Sequence, residues 1–288
     1  MQEINSNNTC SVIVTYNPDD SLINNVRRIA SFSYKVIIVD NGSNEVDALF
    51  RSLQAEISNL RVVVNASNLG IAKALNIGIK SALEFAPKWI FTFDQDSLPY
   101  PEFVSVYNRA ILKLQTDSFG LLSCQFSDVF HPVPEDIRVK QKHTIITSGC
   151  LHNTEVFSTV GFYNESLFID CVDFDFSLRV AKAGYKTYRI SQYVLLHHLG
   201  NPQYRRFLLL NVSSTNHSLM RRYYMSRNHF FLSKLYFSRF PLFIIKKNFF
   251  FLLIILQLLY VERNRKEKLK VMWRGFKDSR SIQKQSYI

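Results

Sequence analysis

The stretch KWIFTFDQDS, residues 88–97, is an apolar run that stops abruptly in acid: Trp89 to Phe93 give way to Asp94, Gln95, Asp96 and Ser97. Apolar character that is continuous rather than alternating marks a strand covered on both faces, as in a parallel sheet. Three earlier stretches share the design: CSVIVTYN at 10–17, KVIIVDNGS at 35–43 and RVVVN at 61–65. Helix-like segments at about 20–32, 46–58, 70–85 and 101–115 alternate with them, so the chain reads as repeated βα units and an α/β fold. Ligands in such sheets gather at the carboxyl ends of the strands. All four strands end in polar residues: Thr15-Tyr16-Asn17, Asp40-Asn41-Gly42-Ser43, Asn65 leading to Asn68 and Gly70, and Asp94-Gln95-Asp96-Ser97. One such end means little, because these residue types also end strands and cap helices throughout proteins. Four in register point to a site.

Neither GxGxxG after the first strand nor GxxxxGK[ST] anywhere is present, which removes the two commonest phosphate-cradling loops. Asp94 and Asp96, two residues apart in extended chain, point to one side, where hard carboxylate oxygens can hold Mg²⁺ or Mn²⁺ bridging a diphosphate. The bland alternative is a surface turn. The four cysteines, Cys10, Cys124, Cys150 and Cys171, lie at least 21 residues apart, which excludes a CxxC metal or redox pair and offers no disulfide framework. They read as reduced, mostly buried thiols. Residues 1–10 lack a signal-peptide pattern, and no run of 18 uninterrupted apolar residues occurs. The expectation is a cytosolic protein without a membrane span.

Charge is divided unevenly. Residues 1–200 hold 17 Lys/Arg against 20 Asp/Glu, whereas 201–288 hold 18 against 3, which accounts for the whole +12. The same C-terminal region is the most apolar, with PLFII at 241–245, Lys246-Lys247, NFFFLLIILQLLYV at 248–261 and ERNRKEKLK at 262–270. Nucleic-acid surfaces interleave basic residues with stacking aromatics rather than with a Leu/Ile/Phe run, so nucleic acid is not the expected partner. An anionic membrane surface suits both properties. A helix of these 14 residues would be about 21 Å long, short of a bilayer's roughly 30 Å core, so it is expected in the interface or packed on its neighbours. A buried core helix with a solvated basic flank is the plainer reading.

VTYN, VDNGS, NLGIAKALNIG, FDQDS, SGC, FIDCVDFDFSLRVAKAGYK and LLHHLG, in that order and spacing, resemble the motifs of family 2 glycosyltransferases of the GT-A fold. Within that family the chain is most similar to bacterial O-antigen rhamnosyltransferases, a likeness that runs from about Cys10 to Gly200 and resumes at RRYYMSRN, residues 221–228. The resemblance implies a Rossmann-like, mainly parallel sheet flanked by helices and a catalytic domain over 1–205; composition sets apart a basic, apolar helical segment over 206–288 for membrane association or oligomerisation. The resemblance places Asp40, Thr15 and Tyr16 at the pyrimidine base. Asn68, Gly70 and Asn76 fall beside the nucleotide, with Lys73 one turn into the helix. Asp94 matches the DxD residue facing the ribose and Asp96 the one facing the metal.

Val172-Asp173 stands where many relatives have Glu-Asp, so Asp173 takes the role of base toward the acceptor hydroxyl. A helix cap is its plainer use. Asp175 is explained by a surface ion pair with Arg179, four residues on. His197 matches the histidine that completes metal coordination, with His198 adjacent. Ser148-Gly149 resembles the loop near the donor sugar, although a plain turn would read the same. Arg227 faces either the diphosphate or a membrane surface.

The activity implied is single-displacement, inverting, metal-dependent transfer of a sugar, L-rhamnose from dTDP-rhamnose, to a lipid-linked saccharide at the cytoplasmic face of a bacterial inner membrane, as in O-antigen and lipopolysaccharide synthesis. UDP-galactofuranose is the alternative donor. A nucleotidyltransferase would usually need a Gly-rich first loop that CSVIVTYN lacks, and a non-catalytic membrane adaptor would leave the polar strand ends unexplained. Oligomeric state stays open.

Overall fold

A computed structural model describes residues 2–114, 119–197, 203–207 and 210–282. The chain divides into two compact units: one built from residues up to Glu165 and from Asp173 onward to the ninth strand, the other from Ser166–Val172 and the C-terminal residues from Leu199 to Gln285.

The first unit opens with β1 (Thr9–Thr15), α1 (Ser21–Ala30), β2 (Lys35–Asp40), α2 (Asp47–Glu56), β3 (Leu60–Val64), α3 (Ile71–Leu83) and β4 (Trp89–Asp94). These strands pair in parallel in the order β3-β2-β1-β4. All seven β1 residues are buried, because helices cover both faces of the sheet and water reaches neither. The chain continues through β5 (Ser97–Pro99), α4 (Phe103–Leu114), β6 (Phe119–Ser127), β7 (Val139–Gln141), β8 (Cys150–Asn153), α5 (Glu155–Val160), α6 (Val172–Lys182) and β9 (Lys186–His197). Beyond β4 the sheet extends as β8-β6-β9-β5, with β7 also on β9. Here the pairing is mixed: β8 runs antiparallel to both β4 and β6, β5 antiparallel to β9, and β6 parallel to β9. The parallel expectation thus holds for the first half of a mixed α/β sheet.

Phe32, Phe91, Phe93, Phe103 and Tyr107 pack into an aromatic core beneath β4, with Phe91 and Tyr107 ring centroids 5.1 Å apart in an edge-to-face contact. Truncating Phe91, Phe93 or Phe103, all fully buried, to alanine costs about 3–5 kcal/mol. β4 is therefore a rigid platform for the acidic turn at its end.

The second unit holds β10 (Gln203–Phe207) paired antiparallel with β11 (Leu210–Ser214), then α7 (Leu219–Tyr236), α8 (Pro241–Val261) and α9 (Arg265–Asp278). Its buried polar centre is Glu262, whose carboxylate takes Arg222, Ser214 and, at 2.7 Å, Lys268.

α8 corrects two expectations. It has 21 residues rather than 14, because Lys246 and Lys247 sit inside it. Lysine is a good helix former, and its long stem carries the charge to water, so the pair does not break the helix that Pro241 starts. At about 31 Å the helix is long and apolar enough to cross a membrane. It is also no core helix: only 17% of its most apolar window is buried, along the stripe Ile244, Phe251 and Leu258. Of the cysteines, Cys10, Cys124 and Cys150 are buried and Cys171 half-buried.

Candidate active site

The acidic turn after β4 and the end of β9 meet because β5 pairs antiparallel with β9, in a register that sets Ser97 opposite His197. His197 Nδ1 lies 3.1 Å from Asp96 Oδ1, and Nε2 lies 4.0 Å from Asp94 Oδ2. Ligand atoms of Asp94, Asp96 and His197 all fall within 4.8 Å of one another. Two carboxylates and an imidazole suit Mg²⁺ or Mn²⁺. Burial pushes the His197 imidazole's pKa down, but the Asp96 hydrogen bond and the charges of Asp94 and Asp96 outweigh it, and the net direction is up. Ser97 Oγ is 2.9 Å from His197 Nδ1 and 2.6 Å from Ser148 Oγ, and the Asp94 amide donates to Ser148 Oγ at 3.3 Å. In the neutral imidazole a proton on Nδ1 would serve Asp96 and leave Nε2 free for a cation. Gly149, next to Ser148, has φ +68° and donates to the Thr92 carbonyl.

At the ends of β1 and β2, Asp40 is fully buried. Thr15 donates to its Oδ1 at 2.9 Å, and Ser43 donates through its hydroxyl to Oδ1 and its amide to Oδ2. Tyr16 is half exposed, and its amide donates to Gln95 Oε1 at 2.7 Å, tying the first strand end to the acidic turn. Asn41 links this end to the next: its Oδ1 accepts from Asn65 Nδ2 and the Leu69 amide, while its Nδ2 donates to Asn68 Oδ1. Asn68 Oδ1 also accepts the Gly70 amide at 2.9 Å. Gly42 is required there twice over, by its φ of +83° and because a Cβ would lie 2.5 Å from the Ser67 carbonyl carbon.

Lys73 is exposed on α3. Asn76 is buried and used inside the protein, donating to the Tyr163 carbonyl and Glu165 Oε1 and accepting the Tyr163 amide. Asp173 is in the first turn of α6, half-buried, and its Oδ1 accepts the Phe174 amide at 2.9 Å. The phenol of Tyr163 is pushed well up by burial, with the charges of Cys150, Asp173 and Asp94 adding to the shift and Arg179 opposing it. Asp175 does pair with Arg179 at 2.9 Å, but the pair is buried rather than on the surface: Arg179 also donates to the Val160 and Phe162 carbonyls, so its fork is filled. In the second unit, Arg227 donates to the Ser166 carbonyl at 2.5 Å and stacks over Tyr224. His198 and Gly200 lie outside the described residues.

The sequence profile of Glycosyl transferase family 2 matches residues 10–153, half of the chain. The dTDP-rhamnosyl transferase RfbF of Shigella flexneri is 30% identical over 246 residues, covering 79% of this chain and 80% of its own length. The chain belongs to glycosyl transferase family 2. Solved structures place the transferase in the GT-A fold. TarS of S. aureus in complex with UDP has a TM-score of 0.53 at 14% identity, covering 97% of this chain and 73% of that one. The mannosyltransferase PcManGT from Pyrobaculum calidifontis, in complex with GDP-Man and Mn²⁺, has a TM-score of 0.54 at 15% identity, covering 96% and 76%.

Ser97, Gln95 and Asn41 also shape the strand ends of the transferase, although in the sequence they are only the end of FDQDS, a spacer in the acidic triplet and one more polar strand end. Asn41 is a buried amide, whose partners only tertiary contacts reveal.

Proposed function

We propose that this glycosyltransferase moves L-rhamnose from dTDP-rhamnose to a lipid-linked saccharide, with inversion, in bacterial surface-polysaccharide synthesis. The observation that carries the reading is the Asp94, Asp96 and His197 cluster at the strand ends, in a chain 30% identical to a dTDP-rhamnosyl transferase. Asp94, Asp96 and His197 Nε2 would hold Mg²⁺ or Mn²⁺. When bound, the cation would supply Lewis-acid stabilisation of the departing diphosphate.

The chain's own residues do the rest. Asp40, Thr15 and Tyr16 take the base, and Asp94 the ribose. Asn68, Gly70 and Lys73 flank the phosphates at the start of α3, where the helix terminus favours anions, while Asn76 supports them from within, its amide bonded to Tyr163 and Glu165. Ser148 and Gly149 border the sugar. Asp173 accepts the proton of the acceptor hydroxyl as that oxygen attacks the anomeric carbon, and the bond to the phosphate oxygen breaks with its electron pair leaving on the nucleoside diphosphate. Arg227, which the resemblance would set at the diphosphate or a membrane surface, is given no part in transfer, since its guanidinium is bonded to the Ser166 and Leu167 carbonyls. Residues 1–205 form the catalytic domain. Residues 206–288 hold it at the cytoplasmic membrane face through α8, where Leu242, Ile245, Phe249, Leu252 and Leu256 are exposed beside Lys246.

Calorimetric titration with dTDP-rhamnose, UDP-galactofuranose and UDP-N-acetylglucosamine, each with Mn²⁺ and with chelator, tests the donor. Metal-dependent preference for dTDP-rhamnose is expected. Preference for UDP-galactofuranose would move the assignment to that sugar, and binding of none would favour a non-catalytic adaptor.

A further inference from the structure

Residues 166–171 carry an unusual backbone. Phe168, Asp170 and Cys171 have φ of +63°, +63° and +64°, three left-handed residues among four, none of them glycine. Non-glycine residues enter this region rarely, and such strain persists only where the surroundings over-determine it. The surroundings here belong to one face of α7. Asn228, fully buried, donates its Nδ2 to three carbonyls of the loop: Leu167 at 2.8 Å, Ile169 at 2.7 Å and Asp170 at 2.9 Å. Arg227 Nη2 donates to Ser166 and Leu167 carbonyls, and its Nε donates to Asn228 Oδ1 at 3.0 Å, which holds the amide with its donors toward the loop. Arg221 pairs with Asp170 at 3.3 Å, and Tyr224 stacks on Phe168 with centroids 4.9 Å apart. Positions 221, 224 and 228 recur at helical spacing, so most of RRYYMSRN is one surface shaped to this loop.

The loop runs directly into α6, whose second residue is Asp173. We propose that Asn228 is a positioning residue for sugar transfer: it holds residues 168–171 in the left-handed conformation and thereby sets the start of α6 and the direction of the Asp173 carboxylate. This rests on the reading of Asp173 as base. An extended loop would turn the first residues of α6 differently, and a base displaced by an ångström loses much of its rate while donor contacts from β1 to β4 are untouched. Relaxing one left-handed residue shifts the loop's conformational balance by about tenfold.

Two readouts test this on the full chain. The first is alkylation of Cys171 by iodoacetamide, resolved by peptide mass spectrometry, with the three buried cysteines as internal controls. Asn228→Ala is expected to speed labelling of Cys171 about tenfold and leave Cys10, Cys124 and Cys150 protected. The second is turnover read as release of dTDP from dTDP-rhamnose, water taking the acceptor's place. Asn228→Ala should lower kcat about tenfold with the donor KM within twofold, and adding Cys171→Gly should restore most of it, since glycine adopts positive φ freely. In the parent chain Cys171→Val, whose branched Cβ opposes positive φ, should lower kcat where Cys171→Gly does not, a comparison that needs no change at Asn228.

Equal turnover of the Gly and Val variants, or unchanged Cys171 labelling in Asn228→Ala, overturns the proposal. Faster labelling of all four cysteines would also overturn it, by making Asn228 a support of the whole fold. Asp173→Asn is measured alongside. If it stays active, the base reading and the positioning role fall together; if it is inactive while Asn228→Ala matches the parent, only the positioning role falls.

Discussion

Ser97 Oγ lies 2.9 Å from His197 Nδ1, on the residue that the β5–β9 register sets directly across from the histidine. The hydroxyl in turn meets Ser148 Oγ at 2.6 Å, so the imidazole is held from the side away from Asp94. Partners of this kind fix which ring nitrogen is free to bind metal, and removing them typically lowers metal affinity by about 10–100-fold. Ser97→Ala should accordingly weaken Mn²⁺ binding by at least about tenfold, read by the free Mn²⁺ paramagnetic resonance signal. Chelator-insensitive nucleotide binding should not change. Unaltered Mn²⁺ affinity would make the serine pair a packing feature only.

Acid should destabilise the first unit through His152. Burial holds its pKa down at about 4 from 6.5, against the opposing pull of its hydrogen bond to the Ile90 carbonyl. Between pH 6.5 and 4 the unfolded chain takes up a proton that the folded one refuses, so stability falls as pH falls through that window. The full effect is about 3 kcal/mol. Urea midpoints measured from pH 7 to 4 should drop, and His152→Gln, which cannot titrate, should flatten part of that slope.

Glu262 is the shared counter-charge of Arg222 and Lys268, all three buried. Glu262→Ala leaves Arg222 without it in an apolar setting, at a cost of about 3–5 kcal/mol. Chemical denaturation followed in the second unit should show that loss. A cost under about 1 kcal/mol would mean water reaches the guanidinium.

The uncovered face of α8 makes a prediction about lipid. Leu242 is 82% exposed, and Phe249 and Leu256 follow along the same helix. Co-sedimentation with vesicles of 30% phosphatidylserine, a charge fraction on the order of that of anionic leaflets, should retain the chain. Leu242→Glu with Phe249→Glu and Leu256→Glu should release it. Binding that survives these changes but vanishes in high salt would assign the attachment to the lysines instead.

How far the chain could be read from its residues depended on the range of the interaction. The first four strands were visible because each is a continuous apolar run with its own turn chemistry, all of it local. β8 was not, since Cys150–Asn153 is four residues with a histidine in it, and only pairing with both β4 and β6 makes it a strand. Asp94, Asp96 and His197 were candidates by type and order, yet their meeting depends on a register between segments a hundred residues apart. The Asp175–Arg179 pair illustrates the same boundary: four-residue spacing announced the contact, while burial came from Val160 and Phe162, far outside the helix. α8 was cut short because counting uninterrupted apolar residues treats Lys246 as a stop, whereas a helix only needs its charge to reach water.

The pairing of β5 with β9 also orders events in time. A chain emerging from the ribosome carries both aspartates long before residue 197 is made, so the two carboxylates exist for a while without their imidazole. Strand pairing across so long a separation is slow, because the intervening loop must be closed first. A cation that needs all three groups would therefore find its full set of ligands only once β9 has paired with β5.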